Sequence, residues 1–184
     1  MKNIQVRIGT LVTALLVPLL FGGCGMQTLR VAAERGEATA QNKLGNAYYD
    51  GKGVAQDYAE AVKYFRLAAE QGLAEAQFNL GFAYVKGNGV PLNYAEAIKW
   101  VSLAADQGHT EAQYNLGYAY EKGLGVQPNV LEAYKWFNLA AAKGDQGSVE
   151  HRDNLATHMT PELITMGQKL ATDFAPKKAA STGK

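Results

Sequence analysis

The sequence predicts an all-α solenoid in which antiparallel helix pairs stack side by side and helical caps close both ends. Three observations lead there. Residues recur with a period of 36 in three copies that align without a gap, a spacing that belongs to stacked arrays. Glycines and helix-capping residues divide each copy into two helices. The chain also holds 29 alanines and 20 glycines but only 5 prolines, which suits helices that pack closely and turn sharply.

Composition excludes several classes. A chain of 184 residues with 47% hydrophobic content has the size and apolar content of one packed domain. Its formal net charge of +1 offers no footprint for nucleic acid, so no such partner is expected. The single cysteine, Cys24, rules out an internal disulfide framework and a multi-cysteine zinc site.

The first element is an address. Residues 1–23 place Lys2 and Arg7 before an apolar run from Ile8 to Phe21 and end in small residues, the layout of a secretory signal peptide. That run spans 14 residues, short of the roughly 20 a spanning helix needs, so a permanent transmembrane helix is the weaker reading. Leu20, Phe21, Gly22, Gly23 and Cys24 resemble a bacterial lipobox, where small residues admit the peptidase at the bond before a lipidated cysteine. The resemblance implies lipidation of Cys24 and attachment to a membrane through an N-terminal lipid anchor. An ordinary cleaved signal and an uncleaved anchor are the alternatives. Gly25 stands where an Asp would resemble an inner-membrane retention signal, so an exported, lipid-anchored protein at the outer membrane facing the periplasm is expected. Without residues 1–23 the chain carries 16 basic and 17 acidic residues, close to neutral.

The repeated stretches are AQNKLGNAYYDGKGVAQDYAEAVKYFRLAAEQG, AQFNLGFAYVKGNGVPLNYAEAIKWVSLAADQG and AQYNLGYAYEKGLGVQPNVLEAYKWFNLAAAKG. Twelve of the 20 glycines lie on this lattice. Helix A runs from about Ala40 to Asp50 in the first copy and stops at Gly51, which takes the left-handed conformation that closes a helix. Helix B begins after Asp57, Asn93 or Asn129, each followed three positions later by Glu60, Glu96 or Glu132, a capping-box arrangement. It ends at Gly72, Gly108 or Gly144. The loop between, such as Lys86 to Pro91, reads as structural, with glycines for tight turning and Val90 to pin it.

The lines AQxNLGxAY, the GxGV loop, YAEAxKW and the closing LAAxQG resemble Sel1-like repeats, relatives of tetratricopeptide repeats with a longer loop in each unit. The resemblance implies a right-handed α-solenoid over Gly36 to Gly144. Thr28 to Gly36 is similar to a leading second helix, and HRDNLATHMTPELITMGQKLA to the closing helices of such proteins; caps of this kind cover the apolar faces of the end units. Thr160, Pro161 and Glu162 give the last helix, to about Phe174, its start. The resulting division is a signal peptide at 1–23, a lipidation site and leading half-repeat helix at 24–36, and repeats at 37–72, 73–108 and 109–144. Capping helices at 145–174 and a disordered, solubilising tail at 175–184 complete it.

A helical wheel divides helix A into two faces. With Ala112 at zero, Leu116, Ala119 and Tyr120 fall within about 80°, and Gly117 at about 140° admits the neighbouring helix. Tyr114 and Tyr118 fall at about 200° and 240°, with Glu121 and Lys122 flanking them on either side, and are expected to face away from their own helix B. The second copy places Phe78, Phe82, Val85 and Lys86 there, and the first Asn42, Asn46, Tyr49 and Asp50. In the tetratricopeptide family this face lines a concave groove that holds peptides. Phe78, Phe82, Lys86, Tyr114, Tyr118, Lys122 and Tyr49 are therefore the expected partner-binding residues, with contacts between successive A helices as the alternative use of the rings.

Chemistry is sparse. His109, His151 and His158 sit in a loop and in the closing segment with no ligand-spaced partner, and read as exposed polar residues. There is no Gly-x-Ser-x-Gly elbow and no phosphate loop. Cysteine-rich relatives linked to penicillin binding or β-lactam hydrolysis carry a cysteine pair in each unit, which this chain lacks. Asn79 and Asn115, with Lys43 at the same place in the first copy, are expected to bond backbone between units. No catalytic residue, metal or cofactor is expected. The function expected is a non-catalytic protein–protein interaction scaffold of the bacterial cell envelope, binding a peptide or protein, the alternative being a protein that binds or hydrolyses peptidoglycan or muropeptide.

Overall fold

The computed structural model describes residues 23–177, and among them it forms nine helices and no strand. They are α1 (Gly23–Glu34), α2 (Ala38–Asp50), α3 (Tyr58–Glu70), α4 (Ala74–Lys86), α5 (Tyr94–Asp106), α6 (Thr110–Lys122), α7 (Val130–Ala141), α8 (Gln146–Ala156) and α9 (Pro161–Thr172). The pairs α2/α3, α4/α5 and α6/α7 are the three repeats, α1 is the leading half-unit, and α8 and α9 are the closing cap. Principal contacts join successive helices from α1 to α8, and α9 folds back past α8 onto α7. That nearest-neighbour pattern is what makes the array a solenoid. Among the described residues no helix is long and apolar enough to cross a membrane. Residues 1–22 of the signal segment, the side chain of Cys24 and residues 178–184 lie outside the described residues.

Helix boundaries follow the local signals. Gly51, Gly87 and Gly123 close the A helices at φ of 70°, 70° and 71°, a conformation costly for any residue with a Cβ. Asp57, Asn93 and Asn129 cap the B helices by accepting first-turn amides, Glu60 N–H at 3.0 Å and Glu96 and Glu132 N–H at 3.1 Å. The box is only half of what the spacing predicts. Each cap residue donates its own N–H to a tyrosine carbonyl of the preceding helix, Tyr48, Tyr84 or Tyr120. The glutamates turn instead to Lys63, Lys99 and Lys135 one turn on, because helix A already supplies the acceptor.

The core repeats with the sequence. Leu44, Leu80 and Leu116 are buried, as are alanines at 40, 76 and 112 and at 61, 97 and 133. Helix B answers with Phe65, Val101 and Phe137, all buried. Opposite them stand Gly45, Gly81 and Gly117, where an added Cβ would lie 2.6 Å from Phe65, 2.7 Å from Val101 and 2.9 Å from Phe137. A second close approach joins successive repeats: a Cβ on Gly89 would meet the Tyr58 carbonyl oxygen at 2.2 Å, and one on Gly125 that of Tyr94 at 2.5 Å. The GxGV loop thus seats its second glycine on the first turn of the preceding helix B.

A buried amide ladder runs beside the core. Gln41, Gln77 and Gln113 donate to the carbonyls of Ala33, Ala69 and Ala105 at 3.2, 3.1 and 3.2 Å. Gln71 and Gln107 close the next rung by donating to Gln41 and Gln77 at 2.7 Å. Lys143 occupies that place in the third repeat and bonds the Gly108 carbonyl instead. The buried Gln113 Oε1 is left without a partner among the described residues.

Two expectations change. His109 is no exposed polar residue: it caps α6, its Nδ1 accepts the Ala112 amide at 3.3 Å, and its ring stacks on Phe78 at 4.9 Å. Burial accordingly holds its pKa below the ordinary value. The tail does not start free at Ala175, because Lys177 pairs with Asp106 at 2.6 Å and Phe174 packs edge-on against Trp136 at 5.5 Å. Gly147, off the lattice, is also tight, since a Cβ there would lie 3.2 Å from the Tyr114 ring.

Gly117→Leu is expected to destabilise the chain by about 1–3 kcal/mol, read as a fall in melting temperature, since only separation of α6 from α7 accommodates it. Lys143→Gln is expected to raise the melting temperature, by about 0.5–1 kcal/mol of stability, by giving Gln113 Oε1 the donor its counterparts have; an unchanged or lower value would exclude the ladder as the reason.

Candidate functional site

The A helices carry equivalent positions at 36-residue spacing, and the three junctions between successive A helices use them differently. Between α2 and α4, Asn79 donates to Asn42 Oδ1 at 3.0 Å and to Asn46 Oδ1 at 3.2 Å. Asn79 therefore bonds side chains, not the backbone its recurrence suggests. This junction is polar and satisfied.

At the far end, between α6 and α8, the place of Asn79 is taken by His151. Its Nδ1 lies 2.9 Å from Glu121 Oε2 and its Nε2 lies 3.4 Å from the Tyr114 hydroxyl. The ring stacks on Phe137 at 5.0 Å and meets Tyr114 and Tyr118 edge-on at 5.6 and 5.8 Å. Burial alone would raise the Glu121 carboxyl, but hydrogen bonds from Lys122 and His151 outweigh it and hold the pKa below the ordinary value. His151 is thus the centre of a closed cluster, not the exposed polar residue its sequence context suggests.

The middle junction is open. Phe78, Phe82 and Lys86 from α4, Ile98 and Val101 from α5, and Asn115 and Tyr118 from α6 line a cavity of about 260 Å³. Its origin is one substitution on the lattice. Val101 stands where the other repeats carry Phe65 and Phe137, and the missing ring volume lies directly beside the two phenylalanines of α4. Phe82 and Tyr118 are 39% and 36% exposed, so the cavity opens to solvent along large apolar side chains. Lys86 Nζ lies 5.4 Å above the Phe82 ring, and Lys122 Nζ lies 5.8 Å from the Tyr118 ring.

Of the residues expected to bind a partner, the structure brings Phe78, Phe82, Lys86 and Tyr118 together. Lys122 flanks them, its charge met by Glu121 at 2.5 Å. Tyr114 is elsewhere: its ring packs on Phe137 of its own helix B at 5.9 Å, contrary to the wheel. The cause is the position of helix B, which approaches over Gly117 and so borders the neighbouring column occupied by Tyr114. The same geometry lets Val101 share the cavity with Phe78. Tyr49 also stands apart, with its ring edge-on to Tyr58 at 5.0 Å and its hydroxyl accepting from Asn88 of the next repeat at 2.8 Å. It ties loop to helix and does not reach the cavity.

Sequence reasoning missed the far wall of the cavity, Ile98 and Val101, and the carboxamide of Asn115. The signal was present in the exchange of Phe for Val at one lattice position. No group of three or more His, Cys, Asp or Glu that could hold a metal occurs among the described residues.

Comparison with known proteins agrees with the geometry. The family described as "Sel1 repeat" matches residues 38–73, 74–109 and 110–145, units that begin one residue after the boundaries drawn from the period. Among solved structures, the chain is similar to c5321, a protective antigen present in uropathogenic Escherichia coli strains that displays an SLR fold. The identity is 35% and the TM-score 0.76, over 84% of this chain and 33% of that one. The chain therefore spans about a third of that protein's length. It is also similar to a Sel1 repeat protein from Oxalobacter formigenes, with 36% identity and a TM-score of 0.66 over 71% of this chain and 98% of that one. No curated protein matches the chain. With three consecutive units matched over more than half its length and two solved repeat structures sharing its fold, the chain belongs to the Sel1 repeat family.

Proposed function

We propose that the chain is a non-catalytic interaction scaffold that holds a peptide or protein partner in the groove between α4, α5 and α6. The observation that carries this is the solvent-open apolar cavity at the middle junction, in a repeat fold that generally mediates protein–protein interaction. Ligand sites are concave and largely apolar with a few placed polar groups. The residues that line the cavity include no carboxylate, so the paired acids of glycoside hydrolysis have no counterpart there. The lipobox-like sequence supports a place in the cell envelope, tethered at Cys24, with the groove presented to envelope proteins.

Two experiments test this reading. Val101→Phe restores the residue of the sister repeats and fills the cavity, while Phe82→Ala with Tyr118→Ala strips its exposed anchors. Photo-crosslinking from position 78 in intact cells is expected to give discrete polypeptide adducts that both variants abolish at unchanged helicity. Loss of a central aromatic anchor commonly costs about 2 kcal/mol or more, roughly 30-fold in affinity. Adducts that carry glycan, or that survive Val101→Phe, would move the function away from a peptide-binding cavity. For the tether, Cys24→Ser is expected to abolish labelling by a palmitate analogue and to release the chain from the membrane fraction, since stable anchoring takes more than one acyl chain; retained membrane association would point to an uncleaved anchor.

A further inference from the structure

Each junction between A helices pairs one polar residue with two residues of the helix before it, and the match fails at one place. Asn79 meets the amides of Asn42 and Asn46, and His151 meets the rings and hydroxyl of Tyr114 and Tyr118. Asn115 lies beside Phe78 and Phe82, which offer no hydrogen-bonding atom, and its carboxamide has no partner among the described residues. A second group is unmatched nearby. Lys122 is neutralised by Glu121, whereas its lattice equivalent Lys86, at the last turn of α4, joins no ion pair among the described residues. An apolar cavity, a free amide and an unpaired cation therefore stand within one groove.

Resting on the peptide-groove reading above, we infer that this groove takes an extended peptide segment with one bulky apolar side chain in the cavity and an acidic residue close by against Lys86. The apolar side chain follows from size. At about 260 Å³ the cavity falls just below the roughly 300 Å³ where small-molecule sites begin, so it suits one side chain rather than a whole cofactor. The extended backbone follows from Asn115. A carboxamide offers one acceptor and two donors, the complement of a peptide unit whose N–H and C=O are free. In a helical ligand those groups are bonded internally, so only an extended segment leaves them to be read. The acidic residue follows from Lys86, whose charge meets no carboxylate among the described residues. A sugar is disfavoured because its many hydroxyls need many polar partners, and beside the apolar walls the cavity offers polar groups only at Lys86, Tyr94, Asn115 and Tyr118.

The test is a display selection of random linear peptides on the full chain in detergent, with selected peptides then titrated by fluorescence anisotropy. Selected peptides are expected to share an apolar residue with Asp or Glu within two positions. Asn115→Leu is expected to weaken them at least tenfold while leaving the melting temperature at or above the parent's, because it removes an amide that bonds nothing among the described residues; a structural role would lower it. Methylating the peptide nitrogen at the apolar residue is expected to cost as much, with no further loss in the Asn115→Leu chain. Lys86→Glu is expected to weaken the acidic peptide and tighten a version carrying Lys in its place, whereas Lys169→Glu on α9 changes neither. Peptides that bind in competition with one another and are blocked by Val101→Phe, but show no acidic preference or ignore Asn115→Leu, would overturn this inference and leave the groove reading standing. A selection that yields no peptide blocked by Val101→Phe, with or without binding of a muropeptide or chitotetraose, would overturn both.

Discussion

A Cβ on Gly117 would lie 2.9 Å from the Phe137 ring, and one on Gly125 would lie 2.5 Å from the Tyr94 carbonyl oxygen. These two contacts recur along the array and determine its geometry. The first lets helix B settle directly over helix A, which sets the spacing within a repeat. The second seats the loop of one repeat on the helix of the repeat before, which sets the spacing between them. Both are tighter than any side chain permits, so the array is fixed by the absence of atoms at a few positions. Everything the groove presents follows from that registry: with the backbones locked, equivalent residues of successive repeats must face each other, and a change of one side chain changes one junction alone.

The buried glutamine ladder adds specificity to this registry. Each rung joins the start of one helix A to the end of the helix B before it and then to a second glutamine, so a slipped register would strand several buried amides at once. A buried polar group without a partner costs about 1–3 kcal/mol, against a total stability of about 5–15 kcal/mol for a typical domain. Gln113 Oε1 shows the ladder interrupted where the repeats give way to the cap. There the chain relies on other ties: α9 seated on α7, where Gly167 approaches the Tyr134 ring, and Lys177 bridging back to Asp106. The end of the array is held by contacts peculiar to it, as terminal units of solenoids generally are.

Those facts explain what was legible in the sequence. Period, helix pairs, caps and turn glycines are encoded locally, in residues whose conformational demands do not depend on distant partners, and they appear where the sequence places them. The division of helix A into faces is read less well. A wheel drawn from one helix assigns Tyr114 to the side away from helix B, but helix B approaches over the glycine column, and its true direction depends on that packing. His109 and His151 were illegible for a related reason: nothing within a few residues of either reveals that one stacks on Phe78 and the other sits among Glu121, Tyr114 and Phe137. Tyr49 shares its helix face with the groove residues but is drawn off by Tyr58 and Asn88, partners outside its own helix.

The cavity is a case between these extremes. Its walls are spread over three helices, and no motif marks it, yet its cause is a single visible difference, Val101 among phenylalanines. In an array whose backbone geometry is held constant by glycine contacts, conserved positions of the lattice carry structure, and departures from it redistribute space and polarity. Val101 releases volume, Phe78 and Phe82 replace amides by rings, and Asn115 keeps the polar group that its neighbours no longer match. The three departures fall on one junction, and together they convert a packing interface into a surface with unmet demands. A solenoid gains a specific site in this way without altering its fold, which is why the most informative residues here are those that break the repeat and not those that make it.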